Sequence, residues 1–207
     1  MLFTSAGVMV FIGAYLLGSL SFAVIVSRWM GMEDPRGYGS GNPGATNVLR
    51  TGNRKAAALT LAGDAIKGWL AVFLAQCIAR QLGLGHEVIA GAALAVTLGH
   101  MWPVFFGFKG GKGVATAAGI LLALDWRLGL GLLAIWLVLA KGFKISSLAA
   151  LLAALAAPIL TWYLLPQPVY LYVVIIIAVL LIARHHQNIR GLFAGKESKI
   201  GGKAESQ

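Results

Sequence analysis

Apolar residues along this chain fall into long uninterrupted runs separated by short polar segments. Short-period alternation of the kind that marks half-buried strands or amphipathic helices does not dominate. The runs cover positions 2–27, 56–79, 88–106, 114–124, 128–140, 147–165 and 168–183. A run of ~20 residues rising 1.5 Å each matches the ~30 Å hydrocarbon core of a bilayer. The pattern therefore predicts an all-α, polytopic integral membrane protein with seven transmembrane helices. Two of them, 114–124 and 128–140, are short and reach only ~17 and ~20 Å. Asp125-Trp126-Arg127 separates them. The first run is too long for a signal-peptide core, lacks a basic lead and precedes no A-x-A-like site, so it predicts a retained span. No internal repeat stands out, and positions 1–207 read as a single membrane-embedded domain.

Composition sharpens this picture. Of 207 residues, 58% are hydrophobic and 12% charged, which excludes a disordered chain and argues against a soluble enzyme. The 17 Lys+Arg against 7 Asp+Glu give a net charge of +10. Fourteen of those cations lie in 28–55, 107–113, 141–146 and 184–207. Only Arg80 and Arg127 lie in the alternate connections, and Lys67 falls inside a span. By the positive-inside rule the N-terminus is outside and the C-terminus cytoplasmic. Merging the two short runs would place Asp125 and Arg127 mid-membrane and send two basic loops to opposite sides. With little water-exposed face, the surplus charge suits anionic lipid head groups and not nucleic acid. No obligate protein partner is predicted. Cys77 has no partner for a disulfide and reads as a small buried side chain in an apolar run.

The polar segments on the predicted cytoplasmic side carry the chemistry. The first holds Ser40, Gly41, Asn42, Thr46, Asn47 and Arg50. Its glycines allow close backbone approach, its hydroxyls and amides offer neutral hydrogen bonds, and Arg50 offers a planar fork for phosphate. The second is a glycine-lysine loop of Gly110, Gly111, Lys112 and Gly113 that leads straight into an apolar helix. A helix N-terminus favours anions. It is not a Walker A loop, because Phe106 and Gly113 stand where that pattern needs Gly and Ser/Thr. The third contains Ser146 and Ser147; the fourth contains His185 and Asn188, followed by Glu197. If the last helix continues, His185 and Asn188 share a face at i,i+3. Asp64 and Lys67, at the same spacing inside a span, read as a structural ion pair facing the bundle. No Cys or carboxylate cluster joins the histidines, so no metal site and no cofactor are predicted.

Three runs closely resemble the bacterial acyl-phosphate:glycerol-3-phosphate acyltransferase family: GSGNPGATNVLRTG at 39–52, GHMWPVFFGFKGGKGVAT at 99–116 and HHQNIRGLFAGKESKI at 185–200. The resemblance covers essentially the whole chain. It implies an inner-membrane enzyme of phospholipid synthesis with its site on the cytoplasmic side. Such an enzyme moves a fatty acyl group from acyl phosphate to the 1-hydroxyl of sn-glycerol 3-phosphate, giving lysophosphatidic acid and phosphate. The family's essential Ser and Arg fall on Ser40 and Arg50. Its phosphate loop falls on Gly110, Gly111, Lys112 and Gly113. Its His and Asn fall on His185 and Asn188, and its structural Glu on Glu197. A third-loop serine matches Ser146 or Ser147. Lys144-Ile145 stands where the family pattern has a tyrosine-containing turn.

Residue chemistry agrees with this implication. Two phosphate-bearing substrates need cations and backbone donors on one face, and acyl phosphate already carries a good leaving group. Catalysis then consists mainly of bringing two anions into line. The expected mechanism is substrate-assisted, with His185 and Asn188 orienting phosphate and the acyl carbonyl. A second class, a transporter or proton-coupled carrier of a phosphorylated solute, would place polar residues at mid-membrane on broken, repeated helices.

Overall fold

The structure, a computed structural model, describes residues 4–200. Positions 2–3 of the first predicted span, and the tail 201–207 with Lys203, lie outside the described residues. The elements are α1 (Ser5–Gly18), α2 (Phe22–Trp29), α3 (Ala45–Leu49), α4 (Arg54–Leu82), α5 (His86–Met101) and a 3-10 turn (Val104–Phe106). There follow α6 (Val114–Leu124), α7 (Trp126–Phe143), α8 (Ser146–Leu164), α9 (Pro168–Arg184) and α10 (His186–Phe193). The described residues contain no strand. Among the described residues, four segments are long and apolar enough to cross a membrane: Arg54–Leu82, His86–Phe106, Trp126–Phe143 and Ser146–Leu164. The bent pairs α1 with α2 and α9 with α10 raise the number to six, and α6 is a shorter apolar helix.

Two elements differ from the sequence expectation. The first run is not one helix: α1 and α2 meet at a 43° bend across Ser19–Ser21. The bend frees backbone groups inside an apolar environment, and local polar groups take them up. Lys67 Nζ donates to the Leu20 carbonyl at 2.7 Å, and Ser19 Oγ donates to the Tyr15 carbonyl at 2.9 Å. The second short run is also longer than predicted. Asp125 is an N-cap and not a loop residue, since its Oδ1 accepts from the Arg127 and Leu128 N–H groups at 2.7 and 3.4 Å. At the other end α7 runs past Lys141 to Phe143 and stops where Lys144 turns left-handed, at φ 56°. The resulting 18 residues reach ~27 Å.

Small residues set the packing. A Cβ at Gly68 would overlap the Thr116 carbonyl oxygen, and one at Gly119 would overlap that of Ala65. Gly18 and Gly99 make the same close approach between α1 and α5. Backbones this near each other gain dispersion contacts in the absence of a hydrophobic drive between helices. Large apolar side chains such as Phe73, Leu155, Ile159 and Val179 face outward, as a lipid-facing surface requires. Cys77 corrects a prediction: it is exposed. The buried face of α4 follows Ala71, Ala75 and Ala79, and Cys77 lies off that stripe.

Candidate active site

Loop 39–50, the start of α6, the start of α8, the α9–α10 bend and residues 197–200 enclose one polar cavity of about 460 Å³. Ser40, Asn42, Thr46, Asn47, Arg50, Lys112, Gly113, Ser146, Ser147, His185, Asn188 and Glu197 line it, together with Asp64 at its inner end. Four expected site residues are not among the lining: Gly41, Gly110, Gly111 and Lys67.

Loop 39–50 is organised by Asn47, which is 2% exposed. Its Oδ1 accepts the Ser40 N–H at 3.0 Å, and its Nδ2 donates to the Pro35 and Tyr38 carbonyls at 2.8 and 3.1 Å. The side chain is thus committed to shaping the loop. Gly39, at φ 59°, lets Asn47 and Arg50 close against it, since a Cβ there would overlap Asn47 Oδ1. Ser40 and Arg50 both line the cavity.

A chain of hydrogen bonds joins the other four segments. Lys112 Nζ donates to Asn188 Oδ1 at 2.5 Å, and Asn188 Nδ2 donates to Glu197 Oε1 at 2.6 Å. Ser147 Oγ donates to the same Oε1 at 2.7 Å. Asn188 therefore positions Lys112, with both ends of its amide engaged. Burial holds the Lys112 ammonium below its usual range, Glu197 opposes this, and Arg50 and Arg184 reinforce it. The tail folds over the cavity: Arg50 donates to Ser198 Oγ at 2.8 Å, and the Ile200 N–H donates to the Lys144 carbonyl at 2.7 Å. This brings Lys199 into the lining as a further cation.

The glycine loop works differently from the expected phosphate cradle. The Gly111 N–H is donated to the His100 carbonyl at 3.1 Å and is not free for a ligand. Arg184 donates to the Gly110 and Gly111 carbonyls at 2.8 and 3.3 Å. The donors left at this end are the Lys112 side chain and the first turn of α6, whose N–H groups have no intrahelical acceptor. Gly113 turns the chain into α6 at φ 92°.

His185 lies just beyond α9, where the chain bends by 59° into α10. It is 3% exposed, and its Nδ1 is 2.7 Å from the Leu181 carbonyl. A carbonyl only accepts, so Nδ1 carries the proton and Nε2 keeps its lone pair. Burial, aided by Lys112 and Arg184, pushes the His185 imidazolium down to about 4, so the ring is neutral near pH 7.

A second, apolar cavity of about 160 Å³ continues from the polar one between α6, α7, α8 and α9. Leu61, Val114, Ala115, Trp136 and Ala150 line both, and Ala153, Ala154, Ala157 and Ala178 line the apolar one alone. The cation-bearing cavity thus opens onto an apolar slot. Among the described residues no three His, Cys, Asp or Glu side chains come together as a metal site would need. Sequence reasoning missed His100, Trp136, Ser198 and Lys199. An ionisable His100 in the same apolar layer as Asp64 and Lys67 was the available signal.

Comparison with known proteins decides the family. The glycerol-3-phosphate acyltransferase family profile matches residues 8–195. The chain belongs to this family. Among its relatives, the glycerol-3-phosphate acyltransferase of Neisseria meningitidis is 60% identical over 190 residues, which are 92% of this chain and 95% of the relative. That of Cupriavidus taiwanensis is 62% identical over 192 residues, 93% and 95% of the two chains. The fold matches the crystal structure of PlsY (YgiH), an integral membrane glycerol 3-phosphate acyltransferase, in its glycerol 3-phosphate form. The TM-score is 0.88 at 37% identity, covering 95% of this chain and 96% of that one. The lysophosphatidic acid form gives a TM-score of 0.87 at 36% identity. This family member is therefore an all-helical, multi-pass integral membrane protein, and the carrier alternative is not supported.

Proposed function

We propose that this membrane enzyme transfers a fatty acyl group from acyl phosphate to the 1-hydroxyl of sn-glycerol 3-phosphate, releasing lysophosphatidic acid and inorganic phosphate. The observation that carries this reading is the junction of a cation-lined polar chamber with an alanine-lined apolar slot. Arg50, Lys112 and Lys199 supply three cations for two phosphates, and the slot offers the donor's acyl chain a path into the bundle. Ser40 and the first turn of α6 add neutral donors. Cations and N–H groups placed where the tetrahedral oxyanion develops lower its energy.

The reaction balances without an acyl-enzyme. The glycerol hydroxyl oxygen bonds to the carbonyl carbon, the bond from that carbon to the phosphate oxygen breaks, and phosphate departs with the electron pair. His185 Nε2, holding only a lone pair, repels phosphate and carbonyl oxygens but accepts a hydrogen bond from the hydroxyl. It therefore orients the nucleophile, in place of the phosphate- and carbonyl-orienting role expected for it. Asn188 acts by holding Lys112. A phosphate oxygen, already beside the reacting hydroxyl, takes the proton. Ser146, Thr46, Asn42 and Gly41 complete the polar wall or the loop behind it, and Glu197 ties that wall together.

The same reading makes residues 1–207 one domain with seven spans, α6 being the short one. The N-terminus is outside, and the site lies at the cytoplasmic face of a bacterial inner membrane. The 14 to 2 asymmetry of basic residues supports this orientation. Its substrates and the bilayer are its partners, with no cofactor. The test is phosphate release by purified enzyme supplied with acyl phosphate, with and without glycerol 3-phosphate. Release should require glycerol 3-phosphate and equal the lysophosphatidic acid formed. Release that ignores the acceptor would reject direct transfer.

A further inference from the structure

At the inner end of the polar cavity lies a row of ionisable side chains that no step of the transfer uses, Asp64 and His100 in its lining and Lys67 behind them. Lys67 is 1% exposed, Asp64 3% and His100 7%. Lys67 Nζ is 2.8 Å from Asp64 Oδ1, and His100 Nδ1 is 3.5 Å from the same oxygen. Lys67 is also tied to the α1–α2 bend through the Leu20 carbonyl. The row therefore links the broken first span, α4 and α5. A buried ion pair is weak evidence of stability for its own sake, because desolvation offsets its attraction. What lies at the other end of the row gives it a use.

That end is Gly111. Its N–H is bonded to the His100 carbonyl, and its α-carbon faces the His100 ring. A Cβ at Gly111 would overlap His100 Nε2, lie 2.8 Å from Cε1 and lie 3.1 Å from the Pro43 carbonyl oxygen. The imidazole is thus a wedge between Asp64 and the loop. It rests on the backbone immediately before Lys112, while Arg184 pulls the Gly110 and Gly111 carbonyls from outside. The Asp64 carboxylate, 3.5 Å from Nδ1, favours a ring that carries its proton on that nitrogen by charge attraction across the gap.

We propose that His100, oriented by the buried Asp64–Lys67 pair, is a positioning residue for substrate phosphate. Its ring sets the height of the Gly110–Gly113 backbone, and thereby where Lys112 and the first turn of α6 meet the phosphate of glycerol 3-phosphate. The inference rests on the proposed phosphate-binding role of that loop and names what holds the loop in place. A loop displaced by even 1 Å meets its anion at the wrong distance.

Kinetics of single and double variants test it. His100→Ala should raise KM for glycerol 3-phosphate roughly tenfold, with kcat and KM for acyl phosphate within about threefold of wild type. A merely structural role would lower active enzyme and kcat without this split. His100→Asn keeps a polar atom near Nδ1 but withdraws the outer ring atoms from Gly111, so a folded Asn variant should show the same split. The charge-neutral pair Asp64→Asn,Lys67→Met should show it too, because the ring loses its orienting carboxylate. Gly111→Ala should raise the same KM by pushing its methyl group into the ring. In His100→Ala,Gly111→Ala the methyl enters vacated space, so the double variant should fall well short of the product of the singles. The proposal is overturned if His100→Asn or the neutral pair leaves that KM within about twofold of wild type while Gly111→Ala raises it, or if the single effects simply multiply. An unchanged KM in Gly111→Ala itself would instead remove the phosphate-loop reading, and the proposal with it.

Discussion

Replacing Glu197 separates the contribution of the tail network from that of the helix bundle. One oxygen, Oε1, accepts from Ser147 Oγ at 2.7 Å and Asn188 Nδ2 at 2.6 Å. Glu197→Ala deletes both bonds. Hydrogen bonds to a charged group contribute ~1.5–3 kcal/mol each, so the ceiling is ~6 kcal/mol. Glu197 is half-buried at an open cavity, and water can reach the freed hydroxyl and amide. The low end, ~3 kcal/mol, is therefore expected. Glu197→Gln keeps an acceptor oxygen but loses the charge, so its cost should be ~1–2 kcal/mol. At roughly 2–4 °C per kcal/mol for a chain of this length, alanine should lower Tm by ~6–12 °C and glutamine by ~2–8 °C. Thermal unfolding of purified enzyme in detergent measures both. Activity should follow the same order, because a released Asn188 no longer holds Lys112. Equal Tm for wild type and Glu197→Ala, or equal loss in the two variants, would show that these contacts do not connect α8, α10 and the tail as described.

Two further outcomes follow from the geometry. Glutamine places an acceptor oxygen near the position of His185 Nε2, so His185→Gln should retain clearly more activity than His185→Ala. Because His185 protonates only toward pH 4, its own ionisation should be absent from kcat between pH 6 and 8, and lowering the pH through 4 should abolish its acceptor role. If wild-type kcat rises through an ionisation near neutrality that both variants lack, His185 is the base instead. Topology is open to labelling: in a Cys77→Ser background, Arg127→Cys should react with an impermeant thiol reagent on intact cells. Reaction only after permeabilisation would reject the seven-span arrangement.

The spans were legible because the bilayer demands long apolar runs, which composition alone reveals. Their ends were less legible. Asp125 and Lys141 look like loop residues until Asp125 is seen capping α7 and Lys141 standing in its last turn. The break at Ser19–Ser21 depends on Lys67, 47 positions away, accepting a place beside the Leu20 carbonyl. Periodicity carries no trace of such a partner. In the site, the motifs pointed to Ser40, Arg50, Lys112 and His185, which the fold brings to one cavity, but not to what each atom faces. Gly110 and Gly111 read as donors to phosphate because glycine frees the backbone. Only the fold shows the Gly111 N–H spent on His100 and both carbonyls spent on Arg184. Lys199 was visible as a basic residue of the tail, and the return of the chain over the cavity is what makes it part of the lining.

The central proposal is that acyl phosphate is the donor: Arg50, Lys112 and Lys199 line the polar chamber, and an apolar slot adjoins it. A head-to-head assay of one purified preparation, with glycerol 3-phosphate saturating, tests this directly. Acyl phosphate, acyl-coenzyme A and acyl carrier protein of the same chain length are offered separately at equal concentration, and lysophosphatidic acid is measured. The account predicts product from acyl phosphate alone, and its loss in Lys112→Met and Arg50→Met. Comparable product from acyl-coenzyme A, or full activity in Lys112→Met, would contradict it.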